Sequence, residues 1–233
     1  MTAAPSALPQ HFDDICQSIP STVTLVAVTK FLPAATIRAA YAKGIRHFGE
    51  SRVQEAIAKQ AELADLPDIV WHLIGHLQSN KARKAVEHFD WIHSVDSLKL
   101  AQRLDQAAQD LEKTPRCCLQ VKLVPDPPKH GIEVAELASQ LPQFDQLTHL
   151  NIRGLMSIPP QEANDAAVRE VFIKTKQLAE TINQKAFVHL QIDQLSMGMS
   201  GDYSEAIACG ATMVRLGIGL FGPRPLSEKH STN

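Results

Sequence analysis

The chain has 233 residues, 44% hydrophobic and 21% charged, with a formal net charge of −2. That supplies apolar material for a sizeable core, as one large domain or two small ones, and leaves no electrostatic footprint for nucleic acid or an anionic membrane surface. No apolar window is long enough to span a bilayer, and the first residues lack a leader pattern, so a cytoplasmic protein is expected.

Strand and helix signals alternate along the whole chain. Residues 22–29 are apolar and β-branched and predict a buried first strand ending at Lys30. A helix over 34–43 closes at Gly44, and 45–48 is a short second strand. Ser51 and Gln54 read as a capping box for a helix whose apolar face is Val53, Ala56, Ile57, Ala61 and Ala64. Residues 68–75 predict strand three, followed by a helix through Ala85, with 90–94 as strand four. Asp96 and Ser97 can cap the next helix, striped by Leu100, Ala101, Leu104, Ala108 and Leu111. Residues 116–123 are strand five, and 125–131 form a loop rich in breakers. A short helix over 133–141, a strand over 149–156 and a long helix over 163–182 follow. Residues 188–195 are strand seven, 203–208 a helix, and 212–216 strand eight.

Eight βα-like units without a linker argue an α/β fold: a single (β/α)8 TIM-like barrel, with a doubly wound sheet as the alternative. The expected domain is 1–233, with short flexible termini at about 1–8 and 226–233. The four cysteines (Cys16, Cys117, Cys118, Cys209) show no C-x-x-C spacing and no disulfide framework, and the adjacent pair reads as buried small hydrophobes in a reducing compartment.

In such a barrel the residues after each strand meet at one mouth, and three strand ends carry suggestive chemistry. Lys30 ends strand one. Desolvation there lowers an ammonium's pKa and frees a neutral amine to attack aldehydes, pyridoxal phosphate being the obvious one. Ser196-Met-Gly-Met-Ser-Gly-Asp202 presents small residues before a helix, which suits a phosphate. Arg215-Leu-Gly-Ile-Gly219 lets backbone approach a ligand closely. Taken singly, Lys30 also reads as a strand cap reaching water, and the glycine pair as a turn; together they make a phosphate-plus-aldehyde site.

Other residues carry bland alternatives. His72 and His76 would share a face of an extended strand, but with no acid or cysteine partner evident they read as structural or pocket-wall histidines. Glu50, Asn80 and Met156 lie at strand or loop ends, where structural and pocket roles are both open. Met197 and Met199 read as packing, and Lys81-Ala-Arg83-Lys84 as a solvated helix face. Lys122 and Lys129 read as solvated, though a lysine there could take a second cofactor or polyanion.

The motifs Val26-Ala-Val-Thr-Lys30, His47-Phe-Gly-Glu50, Trp71-His-Leu-Ile-Gly75 with Gln78-Ser-Asn-Lys81, Arg153-Gly-Leu-Met156, Leu195-Ser-Met-Gly-Met-Ser200 and Val214-Arg-Leu-Gly217 resemble the YggS/PROSC family. These are pyridoxal phosphate-binding, or PLP homeostasis, proteins, and the match runs in order along nearly the whole chain. The Phe-Gly-Glu-Ser-Arg stretch is most similar to the cyanobacterial PipY branch. The resemblance implies a barrel like the cofactor-bearing domain of alanine racemase (fold type III). It implies that Lys30 holds pyridoxal 5′-phosphate as an internal aldimine, that Ser200 and the backbone of Gly217 and Ile218 hold its phosphate, and that Arg215 faces the pyridine nitrogen. Ser51 stands where many relatives carry Asn.

A guanidinium at the ring nitrogen would leave a weak electron sink, and racemisation also needs two bases on opposite faces of the substrate carbon. The related racemase takes its second base, a tyrosine, from a further domain. That domain is expected to be missing here, since the chain is all barrel up to 225–233. Of Tyr41 and Tyr203, only the latter lies beside the phosphate loop. The expectation is a non-catalytic, monomeric carrier or regulator of PLP that serves vitamin B6 and amino-acid/keto-acid balance, with apo-PLP enzymes as recipients. The alternatives are a PLP-dependent racemase or lyase and a PLP-responsive regulatory adaptor.

Overall fold

The β-branched run near the start forms β1 (Thr24–Val28), flanked by a short α1 (Phe12–Ser18) that packs its Phe12 ring near Phe221. The computed structural model describes residues 8–124 and 130–223. The expected flexible ends and Lys129 lie wholly or mainly outside that range, as does most of the 125–131 loop.

The remaining elements alternate. They run α2 (Ala34–Ala42), β2 (His47–Glu50), α3 (Val53–Glu62), β3 (Val70–Leu73), a 3-10 turn (Ser79–Lys81), α4 (Ala82–His88) and β4 (Trp91–Val95). Then come α5 (Leu98–Leu111), β5 (Arg116–Lys122), β6 (Ile132–Glu133), α6 (Val134–Asp145), β7 (Asn151–Met156) and α7 (Asp165–Asn183). The chain closes with β8 (Gln194–Ser196), α8 (Tyr203–Ala208), β9 (Met213–Leu216) and α9 (Ile218–Phe221). Strands β4-β3-β2-β1-β9-β8-β7-β5 pair in parallel, and β4 also pairs with β5, which closes an eight-strand barrel. Two-residue β6 sits outside the ring against β5.

Side-chain alternation sorts the residues into two sets. Phe48, Leu73, Ile92, Leu119 and Leu155 join helix residues such as Ile37, Leu100, Leu104, Leu137 and Phe172 in the main core. Trp91, Cys118, Met156 and Met213 form a separate cluster inside the ring. Above them the interior is polar, with His72, His93, Gln120, Ser196 and Arg215 all buried.

Local expectations fail in three places. The capping box does not form: α3 starts at Val53 without a side-chain cap, and the Ser51 backbone instead packs on Gly75, where a Cβ would lie 2.3 Å from the Ser51 carbonyl oxygen. The seventh barrel strand is residues Gln194–Ser196 instead of 188–195, because the amides of Val188, His189 and Leu190 bond the Asp145 carboxylate and that of Ile192 bonds Asn183. The second strand lies two residues later than expected, since Ile45 still donates back to the carbonyl of Ala40 at the end of α2. Ser97 does cap α5, accepting from Leu100 N.

Candidate functional site

Lys30 follows β1 at the carboxyl mouth, and both of its neighbours are pinned. Thr29 is buried; its Oγ1 donates to Glu50 Oε1 (2.7 Å) and its carbonyl accepts from Lys59 Nζ (2.8 Å). Phe31 takes a left-handed φ of 65°, unfavourable for a bulky side chain, and its N–H is held by Glu55 Oε1 while Arg52 lies over its ring. Lys59 Nζ also bonds Glu50 and Glu55, each at 2.7 Å. Burial pushes the Glu50 carboxyl above its usual range, and Lys59 is the main influence pulling it back. Lys59 escaped the sequence reading. Its signal was a charge three residues after Ala56 on an otherwise apolar helix stripe.

Lys30, Ser200, Arg215, Gly217 and Ile218 surround one cavity of about 280 Å³, with Val28 and Ile74 supplying apolar wall. Ser200 Oγ accepts from Gly219 N at 2.9 Å. A Cβ at Gly219 would stand 2.8 Å from Ser200 Cβ and 2.9 Å from its Oγ, so only glycine leaves this cradle open. Ile218 and Gly219 open α9, where N–H groups have no partner within the helix. Gly198, at φ +91°, turns the chain from β8 toward α8; a Cβ there would meet that of Ala206 at 2.5 Å.

Arg215 is buried at the base of the cavity. It donates to Ser196 O (2.6 Å) and Oγ (2.8 Å) and to Ser157 O (3.2 Å). Burial brings its pKa down to about 10, which still leaves it cationic at neutral pH. Behind it runs a chain that sequence spacing did not disclose. Ser196 Oγ bonds His93 Nδ1 (2.8 Å), His93 Nε2 bonds His72 Nδ1 (2.8 Å), and His72 Nε2 bonds His47 Nδ1 (2.9 Å). The link from β4 to β8 joins strands that are not neighbours, so it crosses the barrel interior. Arg215 can only donate, so Ser196 Oγ accepts from it at one end of the chain. Burial, then Arg215, lowers the His93 pKa to about 3; burial, then His93, carries that of His72 well down. The relay is therefore neutral.

Met156 lies inside the barrel and Asn80 is exposed; neither lines the cavity, whereas Met199 does. Arg83 and Lys84 face solvent as expected, but Lys122 pairs with Glu133. The Tyr203 hydroxyl bonds Ser18 (3.2 Å) and the Tyr41 hydroxyl bonds Asp68. All four cysteines are free, and burial pushes the Cys117 thiol up to about 12. His72 is structural, but the expectation that no acid approaches His76 is wrong, because Asp96 does, at 3.0 Å. A larger cleft of about 510 Å³ opens near Trp71, Asp90 and Arg116, at the amino ends of the strands, the end that supports the fold in barrels of this class.

Residues 5–225 match the family described as the alanine racemase N-terminal domain. A pyridoxal phosphate homeostasis protein of Synechocystis sp. is 51% identical over 93% of this chain and 98% of its own length. The structure of PipY from Synechococcus elongatus, solved both without and with PLP bound, is 54% identical over 91% of this chain and 99% of that chain, with TM-scores of 0.88 and 0.87. Alanine racemase of Clostridium difficile shares the fold at 14% identity, TM-score 0.73, over 92% of this chain and 59% of the racemase.

Proposed function

The chain belongs to the family of the pyridoxal phosphate homeostasis proteins, and from that premise we propose that it binds pyridoxal 5′-phosphate in the Lys30 cavity and stores or delivers it without substrate turnover. The observation that carries this reading is the convergence of a primary amine, a hydroxyl–glycine cradle and a buried cation on one cavity. The residues fit the group: the open space at Gly219 beside Ser200 suits a phosphate, and the apolar wall of Val28 and Ile74 suits a flat ring. When bound, the cofactor supplies an aldehyde that condenses reversibly with a primary amine.

Lys30 is the amine in this reading, held in place through Thr29 and Phe31. Ser200 Oγ and the backbone N–H groups of Gly217 and Ile218 anchor the phosphate. Arg215 faces the ring nitrogen and, having no acceptor, offers no carboxylate to keep a proton there, as carbanion-forming enzymes of this cofactor require. Racemisation also needs a base on each face of the substrate carbon, and both tyrosine hydroxyls are engaged elsewhere. The name of the relatives fits a non-catalytic role. The protein acts in this account as a cytoplasmic monomer, handing PLP to apo-enzymes and so steadying vitamin B6 and amino-acid balance.

The test mixes PLP-loaded protein with an apo-PLP enzyme. Reactivation faster than by equimolar free PLP supports delivery; no faster reactivation of any apo-enzyme tried rejects it. Cofactor-dependent exchange of amino-acid α-hydrogen in deuterated water at turnover rates would instead mark an enzyme.

A further inference from the structure

We propose that His76, Asp96 and His130 form a site for a divalent transition metal, zinc by ligand type, at the mouth of the barrel. None of the three lines the Lys30 cavity, so the proposal stands independently of the cofactor reading.

The fold delivers two of these residues from the carboxyl ends of neighbouring strands and the third from the segment leading into β6. His76 lies three residues beyond β3, Asp96 directly follows β4, and His130 precedes β6, which pairs with β5. Strands β3, β4 and β5 are neighbours in the ring. His130 is fixed through its carbonyl, which accepts from Gln120 Nε2 at 2.8 Å.

Both imidazoles turn Nδ1 toward the same carboxylate oxygen. Asp96 Oδ2 is 3.0 Å from His76 Nδ1 and 3.5 Å from His130 Nδ1, and one ligand atom from each residue lies within 4.8 Å of the others. Tetrahedral zinc with bonds of about 2.0–2.1 Å places neighbouring ligand atoms roughly 3.3 Å apart, and the two distances straddle that spacing. The rings stack with centroids 3.6 Å apart and planes within 10°, and because a bound ion lies near the plane of each imidazole, ligation turns these exposed rings out of the parallel stack. The Asp96 side chain is only 11% exposed and serves as a fixed base, while His76 and His130, at 42% and 55%, leave a path from solvent. Two histidines and a carboxylate with one open position is an established zinc arrangement, the fourth place taking water or an anion. The site would clip the ends of β3 and β4 to the residues leading into β6.

The test titrates metal-stripped, tag-free full-length protein with zinc chloride, and with cobalt(II) chloride for its visible spectrum. One equivalent is expected to bind, with a cobalt spectrum of low coordination number and a rise in melting temperature with zinc. Loss of an outer-shell partner alone weakens metal binding by about 10–100-fold, so Asp96→Asn and His130→Gln should each lose more than about 100-fold. Both should retain the near-visible spectrum of PLP-loaded protein. Should Asp96→Asn fold poorly, being beside the α5 cap, His130→Gln decides alone, since that residue lies outside every helix and strand. Absence of stoichiometric zinc uptake, or unchanged affinity in His130→Gln, overturns the proposal.

Discussion

Replacing Lys59 by Met tests how the Lys30 strand end is held. The Lys59 and Glu50 side chains are 8% and 0% exposed, so water cannot replace the lost ammonium at the carboxylate. Removing one partner of such a pair costs about 3–5 kcal/mol. At about 2–4 °C per kcal/mol for a chain of this size, the melting temperature should fall by roughly 6–20 °C. The loss must also depend on pH. Burial already raises the Glu50 carboxyl from its ordinary 4.5, and without Lys59 it rises further. A carboxyl raised in the folded state binds protons more tightly folded than unfolded, so its favourable contribution is complete at low pH and fades as pH rises through the raised value. The gap between variant and wild type should therefore widen from pH 5 to pH 8. Adding Glu50→Gln should flatten that dependence and recover part of the loss. Thermal unfolding followed by circular dichroism at the two pH values reads both effects. A loss under about 2 °C, or one equal at both pH values, would refute the buried-pair argument.

Gly219→Ala should lower the melting temperature by a few degrees, the overpacking costing about 1–3 kcal/mol, and weaken PLP binding at least tenfold, about 1.4 kcal/mol, because its Cβ would enter the cradle 2.8 Å from Ser200 Cβ and push that loop aside; thermal unfolding and equilibrium dialysis measure the two effects. His93→Leu strands His72 Nδ1 at about 1–3 kcal/mol, while Ser196 Oγ keeps its bond from Arg215, and should lower the urea midpoint accordingly. His93, with its pKa lowered to about 3, contributes stability that is complete above the ordinary imidazole value of about 6.5 and is lost as pH falls toward 3, on the order of 5 kcal/mol in all. Wild type should therefore lose stability more steeply than His93→Gln between pH 6.5 and pH 4, which urea titrations at those pH values check.

The barrel was legible because most strands are short β-branched or apolar runs, such as β1 and β4, and the longer helices carry a 3.6-residue stripe. Residues 188–192 misled for the same reason: an apolar stretch looks like a strand whether its amides bond a neighbouring strand or, as here, the side chains of Asp145 and Asn183. Lys30 and the small-residue loops could be read because strand-end position alone places them at the mouth. The residues that support them could not. His47, His72 and His93 sit on three successive strands, and only barrel closure brings Ser196 across to the last of them. Lys59 reaches Thr29 from a helix, and His130 reaches Asp96 from beyond β5. None of these contacts leaves a spacing pattern in the chain.

The most direct measurement is the near-visible absorption of the PLP-loaded protein before and after borohydride, with peptide mass analysis, for wild type and Lys30→Ala. The account predicts a band in wild type, fixed by borohydride as a cofactor adduct on the peptide carrying Lys30, and neither band nor adduct in the variant. An adduct on another lysine, or an unchanged band in Lys30→Ala, would contradict it.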